Sequence, residues 1–281
     1  MITHNENSSN SEGDTSHSEN DNPSTQGDDE QLNSEVSQVE FEAYPPADED
    51  WSGVRFLLES LFQGISLDVG YFSQTLIDNY KVGTVIKGAD IEEGEDDPVF
   101  AVASLLPLQL FNDRVKLDQL ICSLCSKSED EHAIEKIKHI LLSSDTAFLI
   151  NAKFSNLPLQ ITAQLYKALK MELITERKET PIYNVKNLVI ICKSYYEPEQ
   201  RTSKKAKLSD IVVKYQSSDL EIFSSCAVHR FSWKIEDETL APVSTVPCDD
   251  AWQGYRTALV VPTEVFLSSV DKIIETLSIE T

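Results

Sequence analysis

TAFLINAKFSNLPLQITAQLYKALKMELITERKETPIYNVKNLVIICKSYY, residues 146–196, reads as strand, crossover helix, strand, and the rest of the chain is organised around it. Ala147-Phe148-Leu149-Ile150 is a short unbroken apolar run, as a strand buried on both faces requires. Asn156 offers an N-cap and Pro158 falls in the first turn of the helix that follows. Ile161, Leu165, Leu169 and Leu173 make one stripe of that amphipathic helix. After the breakers Glu179-Thr180-Pro181, Leu188-Val189-Ile190-Ile191-Cys192 is a second buried strand, the most apolar pentad in the chain. A parallel pair joined by a helix crosses over right-handed, so this unit sets the hand and the middle of a sheet. The loop after its first strand, Asn151 to Leu157, contains no glycine that could bring backbone amides up to a phosphate.

Toward the N-terminus, Val39-Glu40-Phe41-Glu42-Ala43-Tyr44 alternates like a half-exposed strand with Val39, Phe41 and Ala43 on one face, and Pro45-Pro46 ends it. Asp48 or Asp50 then caps a helix whose inner face is Trp51, Val54, Leu57, Leu58, Leu61 and Phe62. Gly64 closes it, and Ser66 caps a second with the stripe Val69, Phe72, Leu76 and Tyr80. Gly83 to Lys87 and Pro98 to Leu106 are strands, the latter apolar enough to be central. Two helical patterns follow, marked by Leu117, Leu120, Ile121 and Leu124, then by Ile134, Ile137, Ile140 and Leu141. Beyond Tyr196 come a polar insert from Glu197 to Lys207 and strands at Ile211–Tyr215, Glu221–Ile235 and Arg256–Val261. Pro262-Thr263 opens a last helix with Phe266, Val270, Ile273, Ile274 and Leu277 inward. The element order predicts an α/β fold, a mixed sheet with helices on both faces, forming one domain over residues 38–281.

Residues 1–37 are mostly Ser, Asn, Asp, Glu, Thr and Gly, and this composition predicts disorder. The chain carries a net charge of -23, and its first 54 residues hold fourteen Asp and Glu but no Lys or Arg. Asp90, Glu92, Glu93, Glu95, Asp96 and Asp97 concentrate more acid between the two strands of a hairpin. Such a surface repels nucleic-acid phosphate and anionic membrane and attracts basic proteins. No apolar run approaches the ~20 residues of a membrane span. Five cysteines, an odd number, and no signal peptide point to a reducing compartment, and the charge favours a monomer.

Catalytic motifs are missing. Residues 95–281 contain one glycine, Gly254, and no G-x-G-x-x-G, P-loop or G-x-S-x-G occurs. Cys122-x-x-Cys125 with His132 and His139 tests poorly as a metal site, because the two histidines lie ~10 Å apart along a helix. No catalytic, cofactor or metal residue is therefore assigned, and His229 is read as structural. Trp233, Trp252 and Tyr255 beside Arg256 suit either an interface anchor or core. Arg201, Lys204, Lys205 and Lys207 form a candidate nuclear import signal.

Several of these stretches also resemble, in order and spacing, the BCCIP family, also called the protein-BCP family, over nearly all of residues 38–279. They are Val39 to Pro45, Asp48-x-Asp50, Gly53-Val54-Arg55-x-Leu57-Leu58, Val82 to Lys87, Phe100 to Leu108, Phe154-x-Asn156-x-Pro158-x-Gln160-Ile161, Tyr166 and Arg256-Thr257. The resemblance implies a fold similar to the GCN5-related acetyltransferases without their cofactor site. It also implies a non-enzymatic nuclear protein, shuttling to the cytoplasm, that escorts a basic large-subunit ribosomal protein during large-subunit biogenesis and export. A lipid kinase and cell-cycle factors are further partners it implies. The alternatives are a cell-cycle or DNA-repair scaffold and a divergent acetyltransferase. The six acids from Asp90 to Asp97, with Trp252, Tyr255 and Arg256, are then the expected partner-binding residues.

Overall fold

The parallel pair at the centre of the sequence is the only parallel pairing in the sheet among the described residues. A computed structural model describes residues 40–89, 98–128, 131–196, 213–236 and 253–279. The elements in chain order are β1 (Phe41–Tyr44), α1 (Trp51–Leu61), α2 (Val69–Asp78), β2 (Gly83–Gly88), β3 (Ala101–Pro107), α3 (Arg114–Cys125) and α4 (Glu131–Leu141). They continue with β4 (Thr146–Lys153), α5 (Leu159–Glu179), β5 (Asn187–Tyr196), β6 (Val213–Tyr215), α6 (Ser218–Cys226), β7 (His229–Lys234), β8 (Gln253–Pro262) and α7 (Thr263–Ile279). One sheet runs in the order β1-β2-β3-β4-β5-β8-β7, with β6 also on β5. This is the expected α/β class.

Helices cover both faces because the central strands are apolar on both. Val102, Leu106, Phe148, Ile150 and Val189 face α1 to α4, where Phe62, Phe72, Phe111 and Phe148 meet ring to ring. Ala103, Leu105, Leu149, Leu188 and Ile190 face α5, α6 and α7, where Tyr166, Phe223 and Phe266 pack together. Leu165, Leu169 and Leu173 on α5 are buried, as is the α7 stripe of Phe266, Val270, Ile273 and Leu277. Burial of this kind stabilises by about 1.5–3 kcal/mol for each large side chain.

Caps differ from expectation. Pro158, not Asn156, occupies the position before α5 and makes no side-chain capping bond. Asp68 caps α2 in place of Ser66, its Oδ1 accepting from the Tyr71 amide at 3.0 Å. Asp50 stands at the start of α1 but makes no cap bond, because its carboxylate is engaged elsewhere. Gly64 does close the α1 turn: at φ 81° it adopts a left-handed conformation, with Trp233 Nε1 3.0 Å from where a Cβ would stand.

The largest correction concerns Glu221–Ile235, expected as one long strand. The chain forms α6 there and then β7. Leu220 and Phe223 bury one face of a short helix, and Asp219 and Glu221 sit in its first turn where the backbone amides are unpaired. Smaller shifts also appear. β3 begins at Ala101 rather than Pro98, α2 ends at Asp78 and leaves Tyr80 exposed, and β1 exposes Ala43 because it is the edge of the sheet. Val39, Ile211 and the tail at 1–37 lie outside the described residues.

Candidate functional site

The parallel pair lasts only four residues, from Thr146 opposite Asn187 to Leu149 opposite Ile190. Beyond that point β4 stays with β3, and β5 stays with β8. Parallel strands that part leave a crevice at their carboxyl ends, the usual place for a ligand in α/β sheets. Here β6 and α6 stand at that end of the pair. β8 holds one edge of β5 along its whole length, so β6, paired with Ser194 to Tyr196, takes the edge that β4 abandons.

α6 follows β6 and is tied across this end of the sheet by a polar lock. Tyr166 Oη donates to Asp219 Oδ2 at 2.6 Å and accepts from Asn151 Nδ2 at 2.6 Å. Lys153 Nζ donates to Thr162 Oγ1 at 2.9 Å. Burial, with the Asp219 carboxylate beside it, pushes the Tyr166 hydroxyl well above the usual phenol range. The Cys192 thiol is raised by the same two causes. Burial lowers the Lys153 amine. Tyr and Cys are thus held protonated and unreactive, which suits a structural plug.

A second concavity of about 680 Å³ opens beside the edge strand β1, between the Tyr44–Glu49 turn and the end of α2. Asp48, Glu49 and Asp78 line it with the half-exposed rings of Tyr44 and Tyr80, and its one base is Lys87. Lys87 is itself 5 % exposed and its Nζ is committed to the buried Asp50 carboxylate at 2.7 Å, with Glu49 beyond it at 3.3 Å, so of the three outer acids it meets Glu49 alone. Gln74 bridges two of these, donating to Asp78 at 2.9 Å and Asp48 at 3.4 Å. An open acidic groove edged by aromatic rings is suited to Lys or Arg side chains.

Of the residues expected to bind a partner, Asp90, Glu92, Glu93, Glu95, Asp96, Asp97 and Trp252 lie outside the described residues, as do Arg201, Lys204, Lys205 and Lys207. Tyr255 is half-buried and packs on Tyr196 with centroids 4.2 Å apart. Arg256 is 7 % exposed, and its guanidinium donates to Ser60 O and to Gln63 Oε1 at 2.8 Å. Trp233 is also buried, donating to Gln63 O at 3.0 Å. These two side chains fasten β7 and β8 to the end of α1, so they are core. Cys122 and Cys125 occupy the last turn of α3, the first exposed and the second buried. Among the described residues no three metal-binding side chains cluster. His229 is half-exposed at the start of β7.

Sequence reasoning missed Lys193, which pairs in register with Arg256. Burial, and then the neighbouring guanidinium, lower its amine to about 8 from 10.5. Between those pH values the unfolded chain binds more protons than the folded one, so stability rises with pH through that window. Lys193→Met is expected to raise stability at neutral pH by about 2 kcal/mol. Urea unfolding of wild type and variant from pH 7 to 11 checks this, and the two curves should converge as the amine loses its proton.

A model of the BCCIP family matches residues 36–240 of this chain. The chain is 27% identical to the BRCA2 and CDKN1A-interacting protein of Bos taurus over 265 residues, 88% of this chain and 86% of that one. It is 28% identical to the protein BCCIP homolog of Xenopus laevis over 263 residues, 86% of this chain and 83% of the relative. The crystal structure of BCP1 from Saccharomyces cerevisiae superposes with a TM-score of 0.54 at 13% identity, covering 89% of this chain and 93% of that one, and so shares the fold. The chain belongs to the BCCIP family.

Proposed function

We propose that this chain is a non-enzymatic adaptor of the BCCIP and BCP1 type that escorts a basic large-subunit ribosomal protein. The observation that carries this reading is the acidic groove beside β1, on a chain of net charge -23. Free ribosomal proteins bind RNA through Lys and Arg, and an acidic cover competes for those charges until delivery. The β6–α6 plug supports a role without catalysis, since it stands at the end of the parallel pair where a cofactor would be gripped in an α/β sheet. Function in the nucleus, with exit to the cytoplasm, follows from such a client, and the tract from Arg201 to Lys207 would serve as its import signal.

Affinity purification of the full chain from nuclear extract tests the reading. A basic ribosomal protein should copurify in stoichiometric amount at about 50 mM salt and be released several-fold at about 300 mM, where screening is shorter-ranged. Recovery of no cationic partner at low salt would overturn it.

The name of the bovine relative, a BRCA2 and CDKN1A-interacting protein, favours a second reading as a cell-cycle or DNA-repair scaffold. Depletion with rRNA processing and recombination measured together separates the two. A divergent acetyltransferase ranks below both, and calorimetric titration with acetyl-CoA, expected to give no heat of binding, addresses it.

A further inference from the structure

Electrostatic attraction alone would not select one basic protein among many, so a selective escort needs an apolar contact as well. The structure offers one. Phe41 of β1, Phe100 just before β3, Phe154 just after β4 and Phe56 on α1 form a continuous ladder of rings. Phe41 meets Phe100 edge-on at 5.3 Å, and the Phe100–Phe154 and Phe154–Phe56 centroids are each 6.1 Å apart. Backbone bonds hold the first three in place, Phe100 N donating to Ile86 O and Phe154 N to Phe100 O. Phe56 is 58% exposed and Phe154 37%, and neither belongs to the buried core. Phe41 and Phe100 are partly buried against the core on the α5 side, so the open part of the ladder is the adjoining pair Phe56 and Phe154.

The ladder is also where the acid-rich segments attach. Residues 1–39, with nine Asp and Glu and no Lys or Arg, enter the fold at Glu40, beside Phe41. The six acids between Ala89 and Pro98 leave and rejoin it next to the same rings. The two attachment points touch, since Ala89 N donates to Glu40 O at 2.9 Å. This placement decides what covers the ladder. A second copy would bring another charge of -23, and the chain's own N-terminal segment brings acid to acid and has no aromatic residue.

We infer that the Phe41–Phe100–Phe154–Phe56 ladder is the selective half of the partner surface, and that it takes a cationic segment whose Lys and Arg alternate with large aliphatic or aromatic side chains. The inference rests on the basic-partner reading above and assigns it a place and a second chemical requirement. The partner's apolar side chains would cover Phe56 and Phe154 while its charges meet the exposed carboxylates of Glu40 and Glu42 beside Phe41.

The test uses the full chain, its Phe56→Ala/Phe154→Ala variant, and two labelled synthetic peptides of equal length and charge. In one peptide Lys and Arg alternate with Leu and Phe; in the other they alternate with Ser. The apolar peptide should bind the wild type about tenfold more tightly than the serine peptide, the worth of one buried aromatic anchor. The variant should lose that preference, keep its affinity for the serine peptide and still melt in one cooperative step, about 2–5 °C lower because Phe154 is partly covered. Equal binding of the two peptides to wild type would overturn the inference and leave the basic-partner reading standing. So would a preference that survives in the variant. Binding of neither peptide at low salt would remove both.

Discussion

Lys87→Met should destabilise the protein by about 3–5 kcal/mol, the cost of stranding a buried charge. Lys87 lies on β2 and is 5% exposed; Asp50, at the entry to α1, is 2% exposed. Their Nζ and Oδ1 are 2.7 Å apart, while Asp50 Oδ2 accepts from the Ala47 amide at 2.9 Å. Glu49 stands at 3.3 Å but is largely solvated, and an exposed partner adds little. Without the ammonium, the Asp50 carboxylate would keep only one amide donor in a site closed to water. Thermal unfolding should then move down by roughly 10 °C. The double substitution Lys87→Met/Asp50→Leu should recover most of the loss, since two apolar groups need no partner. A single substitution costing less than about 1 kcal/mol would place the pair among ordinary surface contacts and remove its role in fixing α1 to the sheet edge.

Asp219→Ala comes next, at about 3 kcal/mol, for a different reason. The carboxylate is fully buried and accepts the Tyr166 hydroxyl proton at 2.6 Å. Removing it leaves that donor unpaired in the core and takes a negative charge from the neighbourhood of Lys153. It also takes an acid from the first turn of α6, where the helix dipole favours one. Asp219→Asn keeps a carbonyl acceptor and should cost about half as much. Because the lock joins α6 to α5, the damage should be local before it is global. Native-state hydrogen exchange should show amides of α6 and β6 losing protection while those of β3 and β4 keep theirs. Uniform loss across the sheet would mean that the plug is not a separable unit.

The fold was legible where the chain repeats one choice for many residues. Leu188 to Cys192 and Ala147 to Ile150 could only be buried strands, and α5 and α7 declared themselves through long stripes. α6 was misread because Leu220 and Phe223 are its only buried apolar side chains, too few to display a helical period against the nearby β7 pattern. The functional surface was harder still. Acid content is visible in composition, but the groove draws on Asp48 and Asp78 from separate elements. Phe56 sits in an ordinary amphipathic helix, and nothing local distinguishes it from Leu57 or Leu58, which are core. Only the fold brings together residues 41, 56, 100 and 154. Arg256 shows the opposite case: an Arg beside aromatics suits an anchor or core alike in sequence, and three-dimensional packing gave its donors to Ser60 and Gln63.

β8 is the last strand in sequence among the described residues yet lies inside the sheet, bonded to β5 on one side and β7 on the other. During synthesis β5 therefore leaves the exit tunnel with an unsatisfied edge, and β7 has no neighbour among the described strands until β8 has been added. Late, long-range closure of this sort is slow and exposes sticky intermediates. The nascent polypeptide is thus most vulnerable to aggregation between the emergence of β5 and that of β8, and losing β8 would leave the described sheet with an open centre, not a frayed border.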